Sequence, residues 1–364
     1  MTEPLSYASA GVDVEAGERA VDLMRAAIAR TDRPEVVGNF GGFAGLFDVS
    51  AVKSMAKPLL ATSTDGVGTK IDVAARMNIH DTVGIDLVAM VVDDLVVCGA
   101  EPLFMTDYIA VGKVNPERVA AIVTGIATGC ELAGCALVGG ETAEHPGLLG
   151  PDEYDIAGAG TGVVDAENLL GAHKVQVGDA AIAIEASGLH SNGFSLARHI
   201  AFNLAHLDVH NHISEFGRTL GEELLEPTRI YTKDLLALIK SVEVHSISHI
   251  TGGGISANVA RVMPQNLALE IDRSTWMPLS VFNFLQMRGN LAQLEAEKTF
   301  NMGIGMLAFV AVADADKSIA LLAQRGLVAW QVGSVRERTA EDISDSLAKG
   351  TAGGVVNLVG NYRI

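Results

Sequence analysis

Cysteine and positive charge are both scarce in this chain of 364 residues. Its three cysteines, Cys98, Cys130 and Cys135, lie in apolar segments without CxxC spacing. This pattern favours reduced thiols in a cytoplasmic protein over disulfides or a metal site. The 26 basic residues are outnumbered by 44 acidic ones, so the net charge is −18. Because nucleic-acid binding needs a basic surface, this balance argues against such a partner, whereas a phosphorylated small molecule needs only a local pocket.

Long apolar runs are missing as well. No stretch of about 18 uninterrupted apolar residues occurs, so the sequence predicts no membrane span. The first residues lack the basic and apolar regions of a signal peptide, and we therefore expect a cytoplasmic protein. With 49% hydrophobic and 19% charged residues, the composition is typical of a folded protein.

The length of the chain predicts two domains, because a single hydrophobic core rarely serves so many residues. The chain turns polar around 165–178 before a fresh strand begins, and we place the boundary there. The predicted domains are therefore 1–168 and 169–364. Apolar periodicity predicts both helices and strands, for example a helix over 14–31 and a strand over 154–164.

The most informative stretch is STDGVGTK at 63–70, where an apolar strand gives way to a helical pattern. Gly66 and Gly68 let the backbone approach an oxyanion, and the first amides of the following helix face an anion favourably. Asp65 adds a carboxylate and Lys70 adds an ammonium group. These groups suit a metal and a phosphate, but an ordinary strand-to-helix turn uses the same residue types, so both interpretations stay open.

Glycine-rich joins recur along the chain, and three of them carry a carboxylate or a histidine. The first, around Gly41 and Gly42, is either a surface turn or a backbone nest for an anion. Strand-to-helix joins with consecutive glycines are candidate phosphate sites for the same reason as the opening motif. Besides 63–70, the joins are GNFGGFAGLF at 38–47, GGET at 139–142, HSNG at 190–193 and TGGG at 251–254.

His190 is the histidine of the HSNG join. A lone histidine is more often structural than catalytic. One that stands beside Ser191 and Asn192 at a helix N-terminus is nevertheless a candidate for contacting an anion or a carbonyl group.

The segment GIDLVAMVVDDLVVCG at 84–99 predicts a buried helix with three carboxylates. Asp86 and Asp93 share one face, and Asp94 lies about 100° further round. Two carboxylates at about 4 Å repel each other by about 4 kcal/mol at an effective dielectric near 20. A divalent cation would offset this cost, as would solvent exposure or capping contacts. The nearby phosphate-type motif at Asp65 favours the cation.

The residues alone therefore predict a two-domain enzyme that binds a phosphorylated substrate and a metal–nucleotide. The P-loop consensus GxxxxGK[ST] is absent, which argues against a Walker-type NTPase. As an ordered set, the motifs resemble the AIR synthetase family, the phosphoribosylformylglycinamidine cyclo-ligases, over nearly the whole chain. The matching pieces include STDGVGTK (63–70), HDTVGIDLVAMVVDDL (80–95), LVGGETAEHPG (137–147), HSNGFSLAR (190–198) and HITGGG (249–254).

The resemblance implies an α+β (mixed α/β) fold of two domains, with the N-terminal domain pairing its sheet across a homodimer and an α/β C-terminal domain. It also implies an activity that uses ATP and Mg²⁺. Formylglycinamidine ribonucleotide (FGAM) would be closed to aminoimidazole ribonucleotide (AIR), with release of ADP and phosphate. The formyl oxygen would first be phosphorylated, and the neighbouring nitrogen would then attack.

The same resemblance assigns roles to residues of this chain. His190, Asp65, Asp94 and Lys70 would be catalytic, and Asp65, Asp94 and Glu141 would hold Mg²⁺. ATP would be bound by Asp65, Gly66, Val67, Gly68, Thr69, Lys70 and Asp94. The substrate or its phosphate would be bound by Gly41, Gly42, Ser191, Asn192, Gly193, Thr251, Gly252, Gly253 and Gly254.

Two alternatives of different classes compete with this interpretation. One is another ATP-dependent member of the superfamily, such as an FGAM synthetase or a small-molecule kinase. The other is a nucleotide-binding protein without catalysis. The joint presence of Asp65, Lys70, Asp94 and His190 favours an enzyme.

Overall fold

A computed structural model of the chain describes residues 14–38, 41–343, 348, 350 and 352–363. Its contacts divide the chain into two compact units. The first consists of Met1–Leu95 and Glu101–Ala166, and the second of Val96–Ala100 and Glu167–Ile364. Both units combine helices with a sheet, so the predicted α+β class is confirmed. No helix in the described ranges is long and apolar enough to cross a membrane.

The first unit is a four-stranded sheet with helices and a small hairpin. Its elements in chain order are α1 (Val14–Ala29), β1 (Val36–Val37), β2 (Leu46–Phe47), β3 (Pro58–Gly66), α2 (Lys70–Met77), α3 (Thr82–Val96), β4 (Glu101–Val111), α4 (Pro116–Ala133), β5 (Ala136–Glu144) and β6 (Tyr154–Asp165). The strand order is β3-β6-β4-β5, in which β6 is antiparallel to β3 and β4, and β4 is parallel to β5.

The register of this sheet places chemically important residues in one cross-strand row. Asp65 on β3 pairs with Gly158 on β6, Gly158 pairs with Asp107 on β4, and Asp107 pairs with Gly140 on β5. Directly opposed residues point to the same face of a sheet. A Cβ on Gly158 would lie 3.4 Å from Leu87 of α3, so this face is the one covered by helices.

The opposite face of the sheet is open among the described residues. Along β4, Met105 and Ile109 are fully buried, whereas Tyr108 between them is 41% exposed. Leu60 on β3 is 71% exposed. A large aliphatic side chain that stays in water marks this face as a candidate contact surface.

The second unit is built around a six-stranded sheet. Its elements are β7 (Ala180–Glu185), α5 (Phe194–Arg198) with a π-helical continuation (His199–Leu204), β8 (His212–Ile213), β9 (Arg218–Thr219), α6 (Leu220–Leu224), α7 (Thr232–Ser241), β10 (Val244–His249), α8 (Gly254–Arg261), β11 (Leu267–Asp272), α9 (Ser280–Gly289), α10 (Gln293–Thr299), β12 (Ile304–Val310), α11 (Ala315–Gln324), β13 (Ala329–Glu337) and β14 (Val355–Val359). The strand order is β10-β12-β7-β13-β11-β14.

The core of the second unit lies between this sheet and helices α7 and α11. Ile182 and Ile184 on β7 pack with Leu235 and Leu238 on α7, and Leu322 on α11 completes the contact. These side chains are all fully buried. The helices therefore hold β7 and β10 in fixed positions, and the glycine-rich joins that follow these two strands are fixed with them.

Candidate active site

The join between β3 and α2 is an open, anchored turn. Val67 is buried at 1% exposure and fixes the turn to the core. Gly68 has a φ of 68°, a conformation that favours glycine, and no described heavy atom lies within 4 Å of the position a Cβ would take. Thr69 immediately precedes α2. The turn thus leaves room for an anion in front of the first amides of α2, as the predicted phosphate site requires.

Asp65 lies at the end of β3, on the helix-covered face. Its Oδ1 accepts a hydrogen bond from the backbone N–H of Gly66 at 2.7 Å. This contact holds the carboxylate at the entrance of the turn. An oxygen donor at that place suits a hard divalent cation bound to a phosphate.

The Lys70 side chain points into the core of the first unit and not toward the solvent-facing side of the turn. Its side chain is fully buried, and its Nζ lies 2.9 Å from Oδ1 of Asp86, which is also fully buried. The cost of burying the Asp86 carboxylate is therefore offset by an ammonium group 16 residues earlier in the chain. In this conformation Lys70 stabilises the packing of α2 on α3, and its contact with ATP phosphates stays a prediction.

The other two carboxylates of α3 differ sharply in exposure. Asp93 is fully buried, whereas Asp94 is exposed. Asp94 is therefore the carboxylate of this helix that can reach a metal–nucleotide from solvent. The helical period had placed Asp94 about 100° round from the face that Asp86 and Asp93 share, and in the structure that shared face is buried while Asp94 is exposed.

Glu141 does not lie near Asp65 within the first unit. The two residues are on β5 and β3, the opposite edges of the four-stranded sheet. Three strand spacings separate them by roughly 14 Å. Across the described part of the chain, no group of three or more His, Cys, Asp or Glu residues is arranged to hold a metal. The three predicted ligands are thus not gathered at one point, although Asp65 and Asp94 supply the carboxylate oxygens that Mg²⁺ prefers.

Gly41 and Gly42 lie at the tip of the β1–β2 hairpin and are exposed. Gly41 has a φ of 100°. At the base of the same loop, a Cβ on Gly45 would lie 2.7 Å from the Cβ of Val138, so glycine is needed where the hairpin crosses β5. The loop is therefore attached at its base and open at its tip.

In the second unit, His190 is an internal part of the turn that follows β7. Its φ is 62° and its side chain is 1% exposed. Its Nε2 accepts a hydrogen bond from the backbone N–H of Ser187 at 3.2 Å, and its ring lies 6.2 Å from that of Tyr231. An imidazole nitrogen that accepts such a bond is unprotonated. This geometry supports a role in shaping the turn, and the catalytic role of His190 stays a prediction.

The HSNG and TGGG joins meet in the second unit. A Cβ on Gly252 would lie 3.3 Å from Oδ1 of Asn192, so the Asn192 side chain rests against the glycine turn. Ser191 Oγ lies 3.3 Å from Thr228 Oγ1, which fixes the other side of the HSNG turn. The two segments predicted to bind substrate are thus neighbours in space, although 60 residues separate them in the chain.

Asn258 is a buried residue that organises the TGGG turn and that the sequence analysis missed. Its Nδ2 donates hydrogen bonds to the carbonyl oxygens of Thr251 at 3.1 Å and Gly254 at 2.8 Å. Gly253 and Gly254 have φ values of 102° and 71°. With carbonyl groups held by Asn258, the turn is a suitable anion nest at the start of α8. The available signal was an asparagine inside a short helix, where this residue type is unfavourable without a specific partner.

Two family models match the chain. The N-terminal domain of AIR synthase related protein matches residues 48–164, and its C-terminal domain matches residues 176–346. Together they account for well over half of the sequence.

Named relatives are similar over most of their length. A phosphoribosylformylglycinamidine cyclo-ligase of Desulfitobacterium hafniense (strain DSM 10664 / DCB-2) is 51% identical over 311 residues, which are 85% of this chain and 91% of the relative. The cyclo-ligase of Brevibacillus brevis (strain 47 / JCM 6285 / NBRC 100599) is 47% identical over 331 residues, 91% of this chain and 95% of the relative. The fold is also similar to the crystal structure of thiamine-monophosphate kinase from Stenotrophomonas maltophilia K279a. That match has a TM-score of 0.63 at 18% identity, covering 95% of this chain and 97% of that one.

Proposed function

This chain belongs to the phosphoribosylformylglycinamidine cyclo-ligase family, and from that premise we propose how its residues perform the reaction. The protein is a ligase of purine biosynthesis that uses ATP to convert FGAM to AIR, with ADP and phosphate as the other products. The observation that carries this conclusion is the roughly 50% identity with named cyclo-ligases over nearly all of their length. The alternative superfamily activities have no comparable match among these relatives.

The chemistry needs positioning and charge neutralisation more than a protein nucleophile. The terminal phosphoryl group of ATP is transferred to the formyl oxygen of FGAM, which makes that oxygen a leaving group. The neighbouring nitrogen attacks the activated carbon, the C–O bond breaks, and phosphate departs with the oxygen. The protein must align the donor and acceptor atoms and stabilise the negative charge that develops.

We place the phosphates of ATP at the β3–α2 turn, against the backbone of Gly66, Val67, Gly68 and Thr69. Asp65 and Asp94 are the residues that would hold Mg²⁺, which neutralises charge on the phosphates when it is bound. Glu141 lies roughly 14 Å from Asp65 in the same chain, given the spacing of strands in a sheet. It can therefore contribute to the same ion only from a second copy of the chain.

In the second unit, we place the phosphoribosyl group of the substrate at the adjacent HSNG and TGGG turns. Backbone amides at the start of α8 and the side chains of Ser191 and Asn192 are the proposed contacts. His190 keeps the first turn in shape, and Asn258 does the same for the second. The contact between Asn192 and Gly252 supports this placement of the phosphoribosyl group, because it brings the HSNG and TGGG turns next to each other.

We further propose a homodimer that pairs the open faces of the two N-terminal sheets, and a cytoplasmic location. The exposed Leu60 and Tyr108 support the first proposal, because a stable monomer would leave them in water. Cys98, Cys130 and Cys135 are reduced thiols and not disulfides, which is consistent with the second proposal.

The decisive experiment is an assay of AIR formation from FGAM with Mg²⁺-ATP. Turnover with one ADP and one phosphate per AIR is the expected result. Tight ATP binding without any turnover would instead identify a nucleotide-binding protein without catalysis. Turnover of the amide precursor that depends on glutamine or ammonia would identify an FGAM synthetase.

A further inference from the structure

Residues 297–303, which run from the last turn of α10 to the start of β12, pack against both turns that are assigned to the phosphoribosyl group. A Cβ on Gly254 of the TGGG turn would overlap the carbonyl oxygen of Glu297. A Cβ on Gly193 of the HSNG turn would lie 2.6 Å from the ring of Phe300. Each turn therefore has glycine where it meets segment 297–303, and this one segment lies against both of them.

Asn301 attaches the same segment to the chain just before the HSNG turn. Its Nδ2 donates a hydrogen bond to the carbonyl oxygen of Gly188 at 2.9 Å, and its Oδ1 accepts one from the backbone N–H of Gly303 at 2.8 Å. Asn301 is buried, and a buried amide that is paired on both sides holds a fixed position. A shift of segment 297–303 would therefore be transmitted to the HSNG turn.

The helix that begins this support has little stability of its own. α10 has only seven residues, and Ala292 at its N-cap position has no side-chain oxygen to accept a hydrogen bond. Isolated helices shorter than about 12 residues are marginal in water. The position of α10, and of the segment that follows it, therefore depends on contacts with the rest of the second unit.

Glu297 provides the strongest of these contacts. Its buried carboxylate accepts hydrogen bonds from Nε and Nη2 of Arg273 at 2.7 and 2.8 Å. Gln293 Nε2 and the Tyr362 hydroxyl group donate to Oε1 at 3.0 and 2.8 Å. A two-pronged pair of arginine and carboxylate fixes orientation as well as distance. Glu297 therefore holds the last turn of α10 in one place.

The partners of Glu297 are themselves held by the C-terminal part of the chain. Arg273 Nη1 donates a hydrogen bond to the carbonyl oxygen of Leu358 on β14 at 2.6 Å. The Tyr362 ring lies edge-on to that of Trp276, with 5.1 Å between the ring centroids. Burial raises the pKa of Tyr362, so its hydroxyl group stays protonated and can donate to Glu297. The C-terminal strand and the residues after it thus support α10.

We propose that Glu297 is a positioning residue for FGAM, because its bonds to Arg273 and Tyr362 fix segment 297–303 and thereby the spacing of the HSNG and TGGG turns. This inference rests on the proposed placement of the phosphoribosyl group at these turns. A ligand that contacts two turns at once binds well only when their separation is fixed. The Glu297 carboxylate is occupied by four donors, so it acts through the backbone and not by touching the substrate.

The kinetic test compares Glu297→Gln and Tyr362→Phe with the wild-type protein in steady-state AIR formation. The first variant keeps the size of the side chain and removes its charge, and the second removes one hydroxyl group and keeps the ring. We expect the KM for FGAM to rise at least roughly tenfold in Glu297→Gln, because misplaced groups can cost up to about 100-fold. A smaller rise is expected in Tyr362→Phe. The KM for ATP should not change, because the proposed ATP contacts lie in the first unit.

Asp342→Asn is the matched control, because Asp342 also forms a two-pronged ion pair with an arginine of the second unit. Its carboxylate oxygens lie 2.7 Å from Nη1 and Nη2 of Arg336. Arg336 pairs with Ala268 on β11, at the end of the strand remote from Arg273. The control should keep the wild-type KM for FGAM. An equal rise in this variant overturns the proposal, because the effect would then reflect a general loss of stability.

Hydrogen exchange of the ligand-free, full-length chain tests the positioning without the reaction. Glu297→Gln should accelerate amide exchange in both turns, at residues 190–196 and 252–257, by roughly tenfold or more, because a charged hydrogen-bond acceptor is lost. Asp342→Asn should leave the exchange of both turns unchanged. Faster exchange in only one of the turns, or in neither, contradicts the proposal.

These measurements separate the positioning role from the reaction. If the wild-type protein forms AIR and Glu297→Gln keeps its KM for FGAM, the positioning role fails and the cyclo-ligase function stands. If exchange rises in both turns and the wild-type protein forms no AIR, the support of the turns by Glu297 stands and the reaction assignment fails. A raised KM for ATP with an unchanged KM for FGAM would assign the turns to the nucleotide, which also overturns the proposal.

Discussion

At the scale of single residues, the buried ion pair between Lys70 and Asp86 allows two roles of Lys70 to be tested against each other. Lys70 either stabilises the first unit or binds the ATP phosphates. Removing one partner of a buried ion pair leaves an uncompensated charge, which costs about 3–5 kcal/mol. We therefore expect Lys70→Met to destabilise the first unit by about that amount, measured by thermal unfolding of the full chain. A variant as stable as the wild type would contradict the buried pair.

The double variant Lys70→Met/Asp86→Leu is the control that assigns the role of Lys70. Replacing both charges with apolar groups of similar volume is often neutral, so the double variant should regain stability. If its turnover also returns, Lys70 acts by holding α2 against α3. If stability returns and turnover does not, the ammonium group contacts the ATP phosphates as the sequence predicted.

Asp94 offers a second residue-scale prediction, because it is exposed beside the buried Asp93. Asp94→Asn should raise the Mg²⁺ concentration needed for half-maximal turnover by roughly tenfold, a loss of the size seen when metal sites are weakened. The melting temperature should change little, since the side chain is in solvent. Turnover measured against Mg²⁺ concentration checks this. An unchanged Mg²⁺ dependence would remove Asp94 from the set of metal ligands.

At the scale of elements, the start of α8 requires glycine at position 254, because Gly254 packs directly against the backbone of Glu297. A Cβ on Gly254 would overlap the carbonyl oxygen of Glu297, and the φ of Gly254 is 71°. Gly254→Ala should therefore cost well over the 1–2 kcal/mol of a left-handed conformation alone and should raise the KM for FGAM. The readouts are the free energy of unfolding and steady-state kinetics.

Gly217→Ala is the matched control for this prediction. Gly217 has a similar φ of 67°, but no described heavy atom lies within 4 Å of the position of its Cβ. The Gly217→Ala variant should lose only the roughly 1–2 kcal/mol of unfolding free energy that a left-handed conformation costs, and it should keep the wild-type KM for FGAM. Equal effects in the two variants would show that the contact between Gly254 and Glu297 does not define the turn.

The loop that precedes β7 is attached to β10 through His245, and this predicts a pH dependence. Burial alone would lower the pKa of His245, but its hydrogen bonds to Asp179 at 2.7 Å and Glu243 at 3.2 Å outweigh that effect and raise the pKa. An unfolded histidine titrates near pH 6.5. The stabilisation is therefore complete below about pH 6.5 and is lost as pH rises through the higher pKa of the folded state.

We expect His245→Asn to flatten the decline of melting temperature with pH above neutrality. The exposed His210 is the matched site for a control, since His210→Asn should leave the pH profile unchanged. Thermal unfolding between pH 6 and 9 measures both. A parallel decline in His245→Asn and the wild-type protein would contradict the proposed contribution of this histidine.

The elements that the sequence predicted well are those with strong local signals. The predicted strand over 154–164 corresponds to Tyr154–Asp165, and the predicted helix over 14–31 corresponds to Val14–Ala29. Short elements that depend on packing were missed, such as α10 (Gln293–Thr299), whose position follows from contacts with α8. Local patterns also cannot show that Lys70 meets Asp86 or that Asn258 holds the TGGG turn. Those contacts follow from topology, which places residues distant in sequence side by side.

At the scale of the whole molecule, the separation of Asp65 and Glu141 makes the assembly testable. The two residues occupy opposite edges of one sheet. If both serve one metal–nucleotide, each site must combine Asp65 of one chain with Glu141 of another. In a homodimer with two equivalent sites, every site would then depend on both chains.

Complementation between two inactive variants tests this arrangement. Asp65→Asn and Glu141→Gln homodimers should each be inactive, because every site lacks one carboxylate. When the two chains are co-expressed at equal levels, half of the dimers are mixed and one of their two sites is intact. Recovery of about a quarter of wild-type turnover is therefore expected, and sedimentation should show a dimer. Complete absence of recovery in a confirmed mixed dimer would place Asp65 and Glu141 in separate roles, with Glu141 acting within its own chain.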